Sequence, residues 1–157
     1  MSVAKMDNNP PLVIREGTPA DGEVITQLIA ELADSIGETA SPTAEYVYTF
    51  LSFPGSHIFL AEEDGQVFGM LSFSIRPNLY HAESCCLVDE LVVAEKARGK
   101  GVGKALVQRL VLHAKEAGCA EASLSVMPGN TRAREFYRSL GFTDEAILME
   151  IHFEPND

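Results

Sequence analysis

The chain has 157 residues, with 12 Lys and Arg against 23 Asp and Glu for a formal net charge of −11, and is 46% hydrophobic. That length bounds one domain, residues 1–157, around a single core. No apolar run nears the roughly 20 residues a membrane helix needs, and a surface this acidic excludes nucleic acid as a general partner.

The opening residues 1–10 form a loose lead-in with no apolar signal core, so export is not expected. "LVIRE" (12–16) predicts a first strand. In "GTPADGEV", Thr18 is placed as an N-cap and Pro19 at the first helical position. Ile25, Leu28, Ile29 and Leu32 then follow at helical spacing, predicting a helix to about Asp34. A shorter helix is expected over Thr43–Leu51. "HIFLAEEDGQVFGMLSFSI" reads as a hairpin turning at Asp64-Gly65. "RPNLYHAES" is a connection, and "CCLVDELVV" (85–93) an apolar strand interrupted by Asp89 and Glu90.

A glycine-rich entrance leads into a long helix carrying Leu106, Leu110, Ala114 and Ala117, with Gly118 beyond its end. "EASLSV" (121–126) is a short strand. Asn130 caps a helix whose face is Ala133, Phe136, Tyr137 and Leu140, and Gly141 ends it. "AILMEIHF" (146–153) reads as a last strand, with a further short one at Phe142 and a polar tail over 154–157. The order defines an α/β (α+β) single domain.

Cys85, Cys86 and Cys119 form an odd set with no ligand spacing, which argues against a disulfide framework and a zinc site alike and fits a reducing cytoplasm. No metal is expected. His57, His81, His113 and His152 are scattered singly and read as packed or solvated groups.

The glycine-rich stretch "ARGKGVGKAL" (97–106) has the strongest chemistry. Lys96, Arg98, Lys100 and Lys104 lie within nine residues that hold no acid. A phosphate-binding GxxxxGK[ST] loop fails, because Arg98 stands where its first glycine belongs and Ala105 where its hydroxyl belongs. A dinucleotide GxGxxG fails because Lys104 occupies the third glycine position. What fits is R-x-x-G-x-G, from Arg98 to Gly103. Small residues there let several backbone N–H groups converge on phosphate oxygens at a helix N-terminus, whose partial positive charge favours an anion.

R-x-x-G-x-G resembles the pyrophosphate loop of the GNAT superfamily of N-acetyltransferases. "NTRAREFYRSLGF" (130–142) is similar to that superfamily's second signature, and the resemblance in order and spacing runs from residue 12 to about 153. It implies a mixed central sheet of six to seven strands with about four helices, strands four and five splaying to hold acetyl-CoA as acetyl donor. It assigns acetyl-CoA binding to Leu91, Val92, Val93, Arg98, Gly99, Lys100, Gly101, Val102, Gly103 and Lys104, and to Asn130, Ala133, Phe136 and Tyr137. A backbone N–H of Leu91 or Val93 would polarise the thioester carbonyl.

Acetyl transfer to an amine requires deprotonation of the amine, stabilisation of a developing oxyanion and protonation of the leaving thiolate. The resemblance puts Tyr137 in the last role; packing of its ring on the apolar helix face is the competing reading. Asp89 and Glu90 are the candidate bases, and strand alternation lets at most one face the amine. The acceptor is expected to be an amine of a small molecule or a peptide, with a cationic one favoured by the acidity, and a homodimer is left open. Tyr80, His81, Glu83 and Phe53 are acceptor-side candidates by location. A non-catalytic acyl-CoA-binding or sensor domain of the same fold is the alternative.

Overall fold

The computed structural model describes residues 11–154. In chain order it contains β1 (Val13–Glu16), a 3-10 turn (Pro19–Asp21), α1 (Gly22–Ser35), α2 (Ala44–Ser52), β2 (Ser56–Glu63), β3 (Gln66–Asn78) and β4 (Glu83–Val93). A second 3-10 turn (Glu95–Ala97) leads to α3 (Val102–Glu116), β5 (Cys119–Ser123) and α4 (Thr131–Ser139). Of the two residues read as N-caps, Asn130 acts as read. Thr18 precedes the 3-10 turn rather than α1, and its side chain makes no capping bond, its Oγ1 donating to Asp21 instead. Thr43 Oγ1 accepts from the Tyr46 N–H at 3.1 Å, and Asn130 Oδ1 accepts from the Ala133 N–H at 3.1 Å. Asp64 and Gly65 both have positive φ, 51° and 75°, the signature of the tight turn joining β2 to β3.

The five strands run in the order β1-β2-β3-β4-β5. The first three pairings are antiparallel and β4–β5 is parallel, so the sheet is mixed. Alternation along β2 and β3 divides the apolar side chains between two faces. Phe59, Leu71 and Phe73 meet Leu106 and Leu110 of α3, whereas Leu60 and Met70 meet Ile25, Leu28 and Val47 of α1 and α2. Burial of one such side chain contributes roughly 1.5–3 kcal/mol. No described helix is long and apolar enough to cross a membrane.

Two expectations are corrected. The sheet has five strands among the described residues, not six to seven, and neither Phe142 nor 146–153 forms a strand. A strand exists only where a neighbour completes its ladder, and the backbone after Gly141 has no sheet partner among the described residues. The lead-in 1–10 and residues 155–157 of the tail lie outside the described residues.

Candidate active site

Gly99 and Gly101 adopt the left-handed conformation, φ 76° and 79°, which side chains rarely tolerate. A Cβ built at either would meet nothing within 4 Å, so the turn opens onto free space. Gly101 is the N-cap of α3, and the first helical rung runs from the Ala105 N–H to the Gly101 carbonyl at 3.0 Å. The N–H groups of Val102, Gly103 and Lys104 precede that rung and have no partner within the helix. Arg98, Lys100 and Lys104 are exposed, and no carboxylate lies within 4.0 Å of them among the described residues. Lys96 departs from the group: its ammonium sits 5.1 Å over the Phe68 ring.

Beside this loop the sheet opens. The β4–β5 ladder ends at Leu87↔Ser123, while β4 continues to Val93 bonded only to β3. The Ala94 N–H donates to the Phe68 carbonyl at 2.7 Å. Antiparallel alternation therefore leaves the backbone groups of Leu91 and Val93 directed away from β3. The Val93 carbonyl accepts from Arg98 Nε at 3.3 Å, which ties the loop to the strand tip. A cleft of about 320 Å³ lies here, lined by Leu91, Val92, Val93, Arg98, Gly103 and Phe136, together with Leu32 and Ser35 of α1. Gly103 forms its floor, where a Cβ would stand 3.6 Å from Val93 and 3.7 Å from Phe136.

The two acids are separated by a β-bulge. Ser72 pairs with Glu90 and Phe73 with Val88, leaving Asp89 without a partner on β3. Simple alternation through this strand therefore fails at Asp89. Glu90 is half-buried and doubly joined to Ser72: its carboxylate accepts from the hydroxyl, and its N–H donates to Oγ at 3.1 Å. Burial pushes the Glu90 carboxyl above its ordinary value, partly countered by the Ser72 bond and reinforced by the charge of Asp89. Burial also raises Asp89, and burial foremost, with lesser contributions from the Cys119 and Asp89 charges, holds the Cys86 thiol up at about 12. Tyr137 is half-buried and raised by burial, with its ring 5.1 Å from Phe136 and 6.0 Å from Phe142. Its hydroxyl has no hydrogen bond among the described residues.

The structure thus gathers Leu91, Val92, Val93, Arg98, Gly103 and Phe136 around one cleft, with the remaining loop residues alongside on the turn and first helical residues. Tyr137 belongs to the same helix as Phe136 but does not line the cleft. Asn130 and Ala133 are occupied in capping α4. Tyr80, His81 and Glu83 fall at the opposite end of β4, where Glu83 lies eight residues, or roughly 26 Å at strand rise, from Leu91. Phe53 is exposed after α2 and does not line the cleft. At that far end His81, Cys85 and Glu121 bring one ligand atom each within 4.8 Å of one another, with His81 Nε2 3.4 Å from Glu121 Oε2. Spacing alone could not reveal this set, since its members come from a loop and two strands. Reading the sequence also missed Ser72, Leu32 and Ser35. The one available signal was a serine set inside the apolar run "GMLSF".

The chain belongs to the acetyltransferase (GNAT) family, which it matches over residues 26–142. Across 136 residues it is 29% identical to an aminoalkylphosphonate N-acetyltransferase of Salmonella typhimurium, covering 87% of this chain and 88% of that one. It is 36% identical to glucosamine 6-phosphate N-acetyltransferase 1 of rice (Oryza sativa subsp. japonica), but over 42% of this chain and only 38% of the rice protein. A transcriptional regulator from Bacillus halodurans C-125 shares the architecture with a TM-score of 0.81 at 25% identity, covering 91% of this chain and 100% of that chain.

Proposed function

We propose that the protein transfers an acetyl group from acetyl-CoA to a primary amine of a small molecule. The observation that carries this reading is the open edge of β4 beside the Arg98–Lys104 loop: unpaired backbone groups, uncompensated cations and free space lie side by side. A pyrophosphate joined to an amide-bearing arm and a thioester matches that sequence of features. The family supports it, as do relatives whose names specify small amines.

Acetyl-CoA supplies a thioester whose carbonyl carbon can accept a nitrogen nucleophile. Arg98, Lys100 and Lys104, with the N–H groups of Val102, Gly103 and Lys104, hold the pyrophosphate by charge-assisted bonds. The backbone of Leu91 and Val93 bonds the pantetheine amides, and one of these N–H groups meets the carbonyl oxygen as negative charge develops on it. Glu90, fixed by Ser72 and raised by burial, takes the proton the ammonium must lose, directly or through one water. Tyr137, kept protonated by the same effect, donates to the departing sulfur. The nitrogen gains the acetyl group, the C–S bond breaks, and free CoA thiol leaves.

The test is release of free CoA thiol from acetyl-CoA with a panel of amines that includes aminoalkylphosphonates, amino-sugar phosphates, aminoglycosides and polyamines. Release with one class and none without amine supports the reading. Tight CoA binding with no release across the panel would favour a sensor domain instead.

A further inference from the structure

The end of β4 remote from the cleft holds three ligating side chains that acetyl transfer does not use. His81, Cys85 and Glu121 each offer one atom, and these atoms lie within 4.8 Å of one another. They come from the β3–β4 loop, from β4 and from β5. Local spacing shows no zinc pattern because sheet pairing, not sequence proximity, assembles the set: Asn78 pairs with Glu83 across the loop, and Ser84 with Cys119. The loop is held in place, since the His81 N–H donates to Asn78 Oδ1 at 3.0 Å.

The distances suit a shared metal better than a direct bond. His81 Nε2 and Glu121 Oε2 are 3.4 Å apart, longer than the about 2.7–3.2 Å of a good N–H···O bond. Nitrogen and oxygen ligands of tetrahedral zinc, each about 2.0–2.1 Å from the metal, stand roughly 3.3 Å from one another. A thiolate at about 2.3 Å takes a third corner, roughly 3.5 Å from either. Both His81 and Glu121 are exposed, so side-chain rotation closes the remaining gap to Cys85.

Charge and access agree with this. A Cys85 thiolate and the Glu121 carboxylate together balance a divalent cation, with His81 binding as neutral imidazole. Cys85, 7% exposed, forms the base of the site, and the two exposed ligands leave a way in. One nitrogen, one sulfur and one oxygen make a borderline-soft set that selects zinc, whereas calcium and magnesium take oxygen ligands.

We propose that His81, Cys85 and Glu121 bind one zinc ion, with water at the fourth corner, and that the metal staples the β3–β4 loop and β4 to β5. The ladder it reinforces is short: Ser84↔Cys119, Cys86↔Ala122 and Leu87↔Ser123, with an irregularity between Ser84 and Cys86. The staple stands at the closed end of the parallel pair, opposite the end that opens at the cleft. On binding, the Cys85 thiol gives its proton to solvent.

The experiment is titration of the chelator-treated full chain with Zn²⁺ by calorimetry and with Co²⁺ by absorption. One equivalent should bind, and Co²⁺ should give a near-ultraviolet thiolate-to-metal band with the intense visible absorption of a tetrahedral site. Cys85→Ser should remove the thiolate band. His81→Ala and Glu121→Gln should each weaken Zn²⁺ binding at least as much as loss of an outer-shell partner does, about 10–100-fold. His152→Ala, in the exposed His152–Glu150 pair, should leave it unchanged. If Cys85→Ser fails to fold, the two substitutions at exposed positions still decide. No Zn²⁺ uptake at millimolar metal, a cobalt complex without the thiolate band, or affinity unchanged in either His81→Ala or Glu121→Gln overturns the proposal. None of these readouts depends on acetyl transfer.

Discussion

Residues 12–116 and residues 119–154 make two unlike regions of one domain. All the fully buried large side chains of the described chain, from Phe59 and Phe73 to Leu106 and Leu110, lie in the first. In the second no residue is buried, although Phe136, Tyr137, Leu140 and Phe142 lean on the first region's core. The difference separates rigidity from coverage: the first region closes both faces of its sheet by itself, while the second contributes one wall of the cleft and leaves its outer surface bare. Truncating apolar side chains should therefore cost more stability in the first region than in the second.

The largest expected effect breaks function without touching the fold. Tyr137→Phe should lower turnover about 10²–10⁴-fold with CoA affinity retained, because a general acid acts chiefly as charge develops. Its melting temperature should stay near wild type, since the hydroxyl has no partner to lose. Initial rate, CoA titration and thermal melting on one preparation check this, and a fully active variant would remove Tyr137 from the mechanism. Glu90→Gln should depress turnover comparably and abolish the acidic limb of kcat/KM. In the wild type that limb should lie above the ordinary carboxylate value of 4.5, the direction burial imposes; a limb unchanged in the variant would assign the proton to another group.

Next in size is the test of the packed region itself. Phe73→Ala should cost about 3–5 kcal/mol, whereas Phe142→Ala should cost about 1 kcal/mol or less. Urea melts of both compare the regions directly, and equal losses would refute the contrast. Arg98→Ala should weaken CoA binding roughly ten- to hundred-fold, the effect of losing a charged hydrogen bond. Calorimetric titration measures it.

The smallest effect lies at the start of the first region. There Arg15 holds Asp21 at 2.8 Å and also bonds Glu62, joining β1, the first 3-10 turn and β2. That Arg15 bond, foremost, lowers Asp21 from 3.8 to about 2. A depressed acid stabilises the fold above its unfolded value and loses that contribution as pH falls from about 3.8 towards 2. Asp21→Asn should therefore cost about 1 kcal/mol near neutrality after solvent screening and nothing below pH 2. Asp89 and Glu90 have the opposite sign, since raised carboxyls favour the protonated folded form.

Legibility follows the same division. Helix starts at Thr43 and Asn130, the Asp64-Gly65 turn and the loop at Arg98–Gly103 were readable because each depends on a few neighbouring residues. The bulge at Asp89 was not readable: it is a relation between β4 and β3, and no local pattern separates it from plain alternation. The Glu90–Ser72 bond spans 18 positions and depends on that register. The strand pattern in 146–153 was legible, but a pattern names a strand's faces, not its neighbour.

The bond from Arg98 Nε to the Val93 carbonyl has a further consequence, in conformational entropy. A guanidinium presents its donors in a rigid plane, so anchoring Nε to the strand fixes the direction of the two terminal nitrogens before any anion arrives. A free long side chain surrenders about 0.5–1.5 kcal/mol of rotamer freedom when immobilised on binding. Here folding has already absorbed part of that cost. Lysine at position 98 would keep the charge but, with a single nitrogen, would have to choose between strand and phosphate. The geometry therefore asks for arginine at position 98, beyond any demand for positive charge.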